Sequence, residues 1–216
     1  MKRLFDILLS LILIIILTPL LFPIVILLLL TGEHYVFFKQ KRVGFKAKEF
    51  GLFKFATMLK DSPNLGSKDT VLPDDYRVLP MGKFLRKSKI NEIPQLLNVL
   101  IGDMSFVGPR PLTPKHFNYY LAEKQVVISK MKPGITGIGS IIFRDEESIL
   151  KQSDLPWEEC VKQIIMPYKA ELEEWYFKNK SFKTDLFLLF ITGWVVFFNQ
   201  SNIAFKIFKS LPQRRF

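Results

Sequence analysis

The chain has 216 residues, enough for one compact domain and an appendage, with a net charge of +11 and 49% hydrophobic residues. A basic soluble nucleic-acid binder would not carry this much aliphatic and aromatic surface, and no DNA- or RNA-binding motif is present; a protein seated on an anionic membrane surface accounts for both numbers. The single cysteine, Cys160, excludes an internal disulfide and fits a reducing, cytosol-facing compartment as a buried thiol, while His34 and His116 lack the spaced partners of a metal site.

The first element is an apolar run from Leu4 to Leu30, about as long as the roughly 20 residues a membrane helix needs. Its length and the lack of a small-residue cleavage site argue against a signal peptide. Thr18, Pro19 and Pro23 interrupt it, and proline removes helix hydrogen bonds, so the Thr18 hydroxyl is a candidate partner for freed carbonyls. Lys2 and Arg3 precede the run, and Lys39, Lys41 and Arg42 follow it. Basic flanks mark the cytoplasmic side, so a helix that dips into one leaflet and returns satisfies both. A straight span, the alternative, would put one basic flank outside.

Next, "YVFFKQKRVG" and "EFGLFKFATM" read as two short strands joined by a basic turn, since Phe53 and Phe55 alternate with Lys54. Residues 60–77 are rich in Pro, Gly, Asp and Ser and read as a long surface loop. "MGKFLRKSKI" offers a short basic helix. Ile93, Leu96, Leu97 and Leu100 then give an apolar helix face, with Pro94 in the first turn. "GDMSFVGPRPLTP" reads as a loop and "KHFNYYLAEKQVVISKMK" as one helix ended by Pro133. "GITGIGSIIF" suits a short strand or extended passage. "PWEECVKQIIMPYKAELEEWYFKNK" reads as a long helix kinked near Pro167, and Leu186–Phe198 as an interfacial helix with aromatic anchors, or else a core helix. The expected fold is α+β and helix-rich. It has a re-entrant membrane helix over 1–32 and a small cytosolic catalytic domain over 33–216, with short strands and interfacial amphipathic helices.

The stretch "SKINEIPQLLNVLIGDMSFVGPRP" concentrates the chemistry. A helix beginning near Pro94 exposes unpaired N–H groups, which favour a carboxylate such as Glu92 or an incoming phosphate. Arg86, Lys87 and Lys89 precede it, and Asp103 and Arg110, the latter held between prolines, follow it. Carboxylates for a divalent cation and arginines for a phosphate are the inventory for chemistry on a diphosphate. Residue by residue, helix capping by Glu92 and surface pairing by Arg110 would explain the same positions.

At these residues the chain resembles the bacterial sugar transferase family, and within it the small monotopic polyprenyl-phosphate phosphoglycosyl transferases. The resemblance covers nearly the whole chain. It is carried by "KRLFDILLSLILIIILTPL", with Thr18-Pro19 where a Ser-Pro pair is common, by "FKQKRVG" and "KFATM", by the block from Arg77 to Leu112, and by "KPGITGIGS". It implies transfer of a sugar-1-phosphate from a UDP-sugar to undecaprenyl phosphate, releasing UMP. The setting would be the cytoplasmic face of the bacterial inner membrane, in exopolysaccharide, O-antigen or related glycoconjugate assembly.

The same resemblance implies magnesium, held with Glu92 and Asn91, and an Asp-Glu dyad whose aspartate forms an acyl phosphate. It implies phosphate contacts from Arg86 and Arg110, and supporting roles for Asp103, Gln95, Lys41 and Arg42. A homodimer is a further expectation. Two positions depart from the pattern: Asn91 stands where the dyad has its aspartate, and Ala56 where an arginine is usual. An amide is no acyl-phosphate nucleophile. Three explanations stay open: Glu92 is the nucleophile, the lipid phosphate attacks directly, or the chain is an inactive membrane-anchored scaffold of a glycan-assembly complex.

Overall fold

The computed structural model describes residues 1–65, 75–144, 146–198, 202–214 and 216. The polypeptide forms two compact units. One comprises Arg3–Lys41 and Gly51–Gly102; the other comprises Met1–Lys2, Arg42–Phe50 and Asp103–Phe216. Each is described by itself.

The first unit is built on α1 (Lys2–Leu30), which runs as one helix through Pro19 and Pro23. Its side chains are mostly exposed although its mean hydropathy reaches 3.1, and only 6% of that apolar window is buried. A helix this long and apolar could cross a membrane, and it is not buried as the core helix of a soluble protein would be. Pro19 lacks the N–H that would reach the Ile15 carbonyl. The Thr18 hydroxyl does not replace it, because it donates to the Ile14 carbonyl at 2.7 Å.

Both ends of α1 are fastened. Leu28 packs with Phe55 and Leu85 in a buried cluster that Val25, Met81 and Ile90 flank. At the other end Arg3 donates to the Val99 and Leu100 carbonyls at 2.5 and 2.8 Å. These two carbonyls close α3 (Gln95–Ile101) and have no partner within their own helix, so Arg3 acts as its C-terminal cap. The sequence reading had Arg3 as a membrane-flanking cation; its guanidinium is committed to the protein.

The paired strands β1 (Phe37–Val43) and β2 (Glu49–Phe55) fall where expected. Residues 60–77 begin with a 3-10 turn at Ser62–Asn64 and end at a bridge between Met58 and Val78, while 66–74 lie outside the described residues. Helix α2 (Pro80–Lys87) has proline in its first turn and Arg86 and Lys87 in its last, as dipole and backbone geometry favour. In α3 the buried positions are Gln95, Leu96, Asn98 and Val99. Of the apolar face, Ile93 and Leu97 are half-buried and line a groove described below, and Leu100 is half-buried as well.

In the second unit, Ser105–Val107 is a strand, β3, where the sequence predicted a loop. It pairs in parallel with β4 (Gly134–Thr136), Ser105 opposite Gly134 and Val107 opposite Thr136. Such a pairing is non-local and leaves no hairpin signature nearby. The single helix expected after Pro114 is two, α4 (Pro114–Phe117) and α5 (Ala122–Ile128), broken at 118–121. Short α6 (Ile138–Ile142) and α7 (Glu146–Gln152) follow.

The long helix near Pro167 is α8 (Trp157–Cys160), a π segment over Val161–Ile165 and α9 (Met166–Asn179). The wider π turn sits where Pro167 withholds its N–H, so it takes up the distortion expected as a kink. Helix α10 (Phe182–Phe198) buries Leu188, Ile191 and Val195 against β3 and α6, and exposes Leu186, Phe190 and Val196. It is thus a core helix on one side and apolar surface on the other. A last short helix, α11 (Ile203–Ile207), packs on α6. Cys160 is fully buried, as expected.

Candidate active site

The first unit assembles one chemical cluster between α2 and α3. After α2 the chain turns sharply at Lys89, whose φ of 60° is left-handed and costly for a residue with a Cβ. That turn starts a 3-10 segment, Ile90–Glu92, closed by backbone bonds from Glu92 to Lys89 and from Ile93 to Ile90, both 3.1 Å. Asn91 points inward and is 7% exposed, and its Oδ1 has no hydrogen-bond partner. The Glu92 side chain stays 24% exposed, with Lys54 Nζ 3.9 Å from Oε1.

Arg86 is oriented by the "KFATM" block. Its Nε donates to Thr57 Oγ1 at 2.9 Å. Helix α2 reaches Thr57 because residue 82 is glycine: a Cβ there would lie 2.0 Å from the Thr57 carbonyl oxygen. Burial draws the Arg86 pKa down, and the carboxylates of Asp75 and Glu92 oppose it. Asp75 is itself held by Arg77, whose hydrogen bonds keep its carboxyl at about 2. Asn98 ties α3 to β2, accepting from Phe53 N at 2.9 Å and donating to the Gly51 carbonyl at 2.8 Å. Gln95 is buried in the first turn of α3.

So Asn91, Glu92, Arg86 and Gln95 share one unit, as the sequence stretch suggested. Lys54, Thr57 and Asn98 were missed. The first two lie in the "KFATM" region already singled out, but only the folded chain shows which side chains they meet.

Beside Glu92 the same unit has an apolar groove of ≈ 200 Å³, walled by Ile93, Pro94 and Leu97 on one side and by Thr18, Leu21 and Phe22 of α1 on the other. A second, larger cavity of ≈ 360 Å³ borders Ala56 and Glu33. It adjoins the position where the family pattern has an arginine.

Of the other expected residues, Asp103, Arg110 and Arg42 belong to the second unit and Lys41 to the first. Asp103 is half-buried just before β3, and Arg110 is exposed on the loop Gly108–Thr113. Hydrogen bonds, as well as prolines, stiffen that loop. Gly108 N donates to Thr136 O at 3.0 Å, Gly134 N to Pro109 O at 2.8 Å and Val43 N to Leu112 O at 2.9 Å. Arg42, expected to face headgroups or nucleotide, donates to the Pro111 carbonyl at 3.1 Å. Lys41 is exposed.

Among the described residues no three His, Cys, Asp or Glu side chains gather as a metal cage. Magnesium needs less than a cage: one or two protein oxygens plus substrate phosphates and water. The Glu92 carboxylate and the unpartnered buried Oδ1 of Asn91 are hard oxygen donors of the required kind.

Comparison with known sequences agrees with the motifs. The sequence model of the bacterial sugar transferase family matches residues 1–199. The uncharacterised sugar transferase EpsL of Bacillus subtilis is 41% identical over 193 residues, covering 89% of this chain and 85% of that protein. A UDP-glucose:undecaprenyl-phosphate glucose-1-phosphate transferase of Klebsiella pneumoniae is 34% identical over 93% of this chain. An undecaprenyl-phosphate galactose phosphotransferase of Salmonella typhimurium is 30% identical over 91% of it. The chain spans only 41% and 40% of those two longer proteins. It belongs to the bacterial sugar transferase family.

Proposed function

We propose that this protein transfers a sugar-1-phosphate from a UDP-sugar to undecaprenyl phosphate at the cytoplasmic face of the bacterial inner membrane, with Glu92 as nucleophile. One observation carries the reading. The part-exposed Glu92 carboxylate, with Lys54 and Arg86 for company, is followed directly by Ile93 and Pro94, which wall a groove shared with the lipid-facing helix α1. A nucleophile next in sequence to residues that wall an apolar groove shared with α1 suits an acceptor phosphate carried on a lipid tail.

In this mechanism a Glu92 oxygen attacks the sugar-proximal phosphorus of the donor. The bond from that phosphorus to the bridging oxygen breaks, and UMP leaves with the oxygen. An oxygen of the lipid phosphate then attacks the same phosphorus and releases the carboxylate, giving the lipid diphosphate sugar. Arg86, steadied by Thr57, is the proposed contact to donor phosphate oxygens, Arg110 on its stiff loop is a second proposed phosphate contact, and Lys54 lies 3.9 Å from the Glu92 carboxylate. Magnesium, held by Glu92 and Asn91, would neutralise charge on the diphosphate. The fastening of both ends of α1 to one unit supports a helix that enters and leaves a single leaflet. Lipid-dependent UMP release in nanodiscs, across a panel of UDP-sugars, tests the reading and names the sugar. UDP release, or no nucleotide from any donor, would favour another transferase chemistry or a scaffold.

A further inference from the structure

The second unit buries a carboxyl group that the mechanism above does not use. Glu173 on α9 is 3% exposed. The backbone N–H groups of Arg110 and Gly139 donate to it, joining the "GPRP" loop to the start of α6. Glycine at 139 allows this close approach: a Cβ there would lie 2.4 Å from Glu173 Oε1, so the carboxyl end would have to move away. Among the described residues the second carboxyl oxygen, Oε2, has no hydrogen-bond partner. A leucine or methionine would fill the same space without that cost, so packing alone does not call for a glutamate.

The groups around it explain its state. One turn earlier on α9, Lys169 is paired with Glu146 of α7 at 2.7 Å, so the nearest cation is already engaged. Arg110 and the buried Tyr120 complete the surroundings. Burial raises Glu173 to about 8, against the opposing pull of Lys169 and the two N–H groups. At neutral pH it is therefore a neutral acceptor of backbone hydrogen bonds.

We propose that Glu173 is the positioning residue of the Arg110 loop, its carboxyl holding the backbone at Arg110 and Gly139 so that the guanidinium projects from a fixed base. The kinetic consequence rests on the proposed phosphate contact of Arg110; the structural consequence does not. The test compares Glu173→Leu, Glu173→Gln and Gly139→Ala in nanodiscs. It reads amide hydrogen exchange of the 105–112 segment alongside donor KM and kcat. Glu173→Leu and Gly139→Ala should speed exchange in that segment at least tenfold and raise donor KM about tenfold with kcat within a few-fold. Glu173→Gln, which keeps an acceptor, should retain protection and KM near the parent.

In the Glu173→Leu background, Arg110→Ala should add little further loss. Unchanged exchange in both disrupting variants overturns the proposal, whatever the activity. If Glu173→Leu does not fold, the contrast between Gly139→Ala and Glu173→Gln decides, equal exchange in those two overturning it. Fast exchange with no UMP release from the parent protein would instead refute the phosphoglycosyl reading and leave the positioning role standing.

Discussion

The surroundings of Glu92 in the first unit and of Glu173 in the second treat charge differently. Around Glu92 the first unit keeps charged side chains at its margin. Glu92 and Lys54 are 24% and 18% exposed and 3.9 Å apart, and Arg86 is oriented by a neutral hydroxyl. The second unit takes charge inside and neutralises it. Lys169 pairs with Glu146, Glu173 holds a proton, and Asp185 is closed off by Lys2 at 2.5 Å and the Tyr176 hydroxyl. A part-exposed, reachable carboxylate suits reaction; buried groups held by hydrogen bonds and ion pairs suit rigidity. On the reading proposed above, chemistry belongs to Glu92 of the first unit, and the second unit holds an arginine loop still.

This contrast can be broken at several points. The largest effect belongs to Glu92→Gln, which removes the proposed nucleophile: UMP formation should fall about a thousandfold or more, with fold and membrane association unchanged. Rates near those of the parent would return Glu92 to a capping role. Gly82→Ala comes next. Its methyl has no room against Thr57, so α2 must shift and Arg86 lose its anchor. Thermal unfolding should report a loss of about 1–3 kcal/mol, with donor KM rising in parallel.

The proton on Glu173 sharpens the other side of the comparison. With its pKa raised by burial from 4.5 to about 8, the native state retains a proton that the unfolded chain has lost in that window. The contribution is therefore fully present below pH 4.5 and declines as pH rises toward 8, by at most about 1.4 kcal/mol per unit. Glu173→Gln has no such proton, so its stability relative to the parent should improve steadily between pH 5 and 8; parallel pH profiles would show the carboxyl to be ionised. The smallest change is expected from Asn91→Asp. The new carboxylate would be buried, and on the proposed reading Glu92 supplies the nucleophile, so turnover should move by less than about tenfold.

What could be read from the sequence follows the range of the interactions. The apolar run to Leu30, the alternation around Phe53 and the Pro80 helix start are local signals, and α1, β2 and α2 lie where those signals put them. The β3–β4 pair joins distant segments, so "GDMSFV" looked like loop. The break at 118–121 divided what periodicity read as one helix. At the site, "INEIPQ" and Arg86 were legible because their residue types and order carry the chemistry. Lys54 opposite Glu92, Thr57 beneath Arg86 and Arg3 capping α3 were not, since each depends on tertiary approach. Lys2 and Arg3 were read only as a basic flank marking the cytoplasmic side, and their bonds to Asp185 and to the α3 carbonyls are further tertiary contacts that charge patterning does not reveal.

The most direct test of Glu92 as nucleophile is rapid-quench measurement of UMP from the unmodified protein with magnesium and its UDP-sugar, in the absence of undecaprenyl phosphate. A covalent route predicts a burst of about one UMP per active site, with a phosphosugar adduct on Glu92 by mass spectrometry, both lost in Glu92→Gln. UMP that forms only after the lipid is added, with no adduct, would mean direct attack by the lipid phosphate and would contradict the assignment.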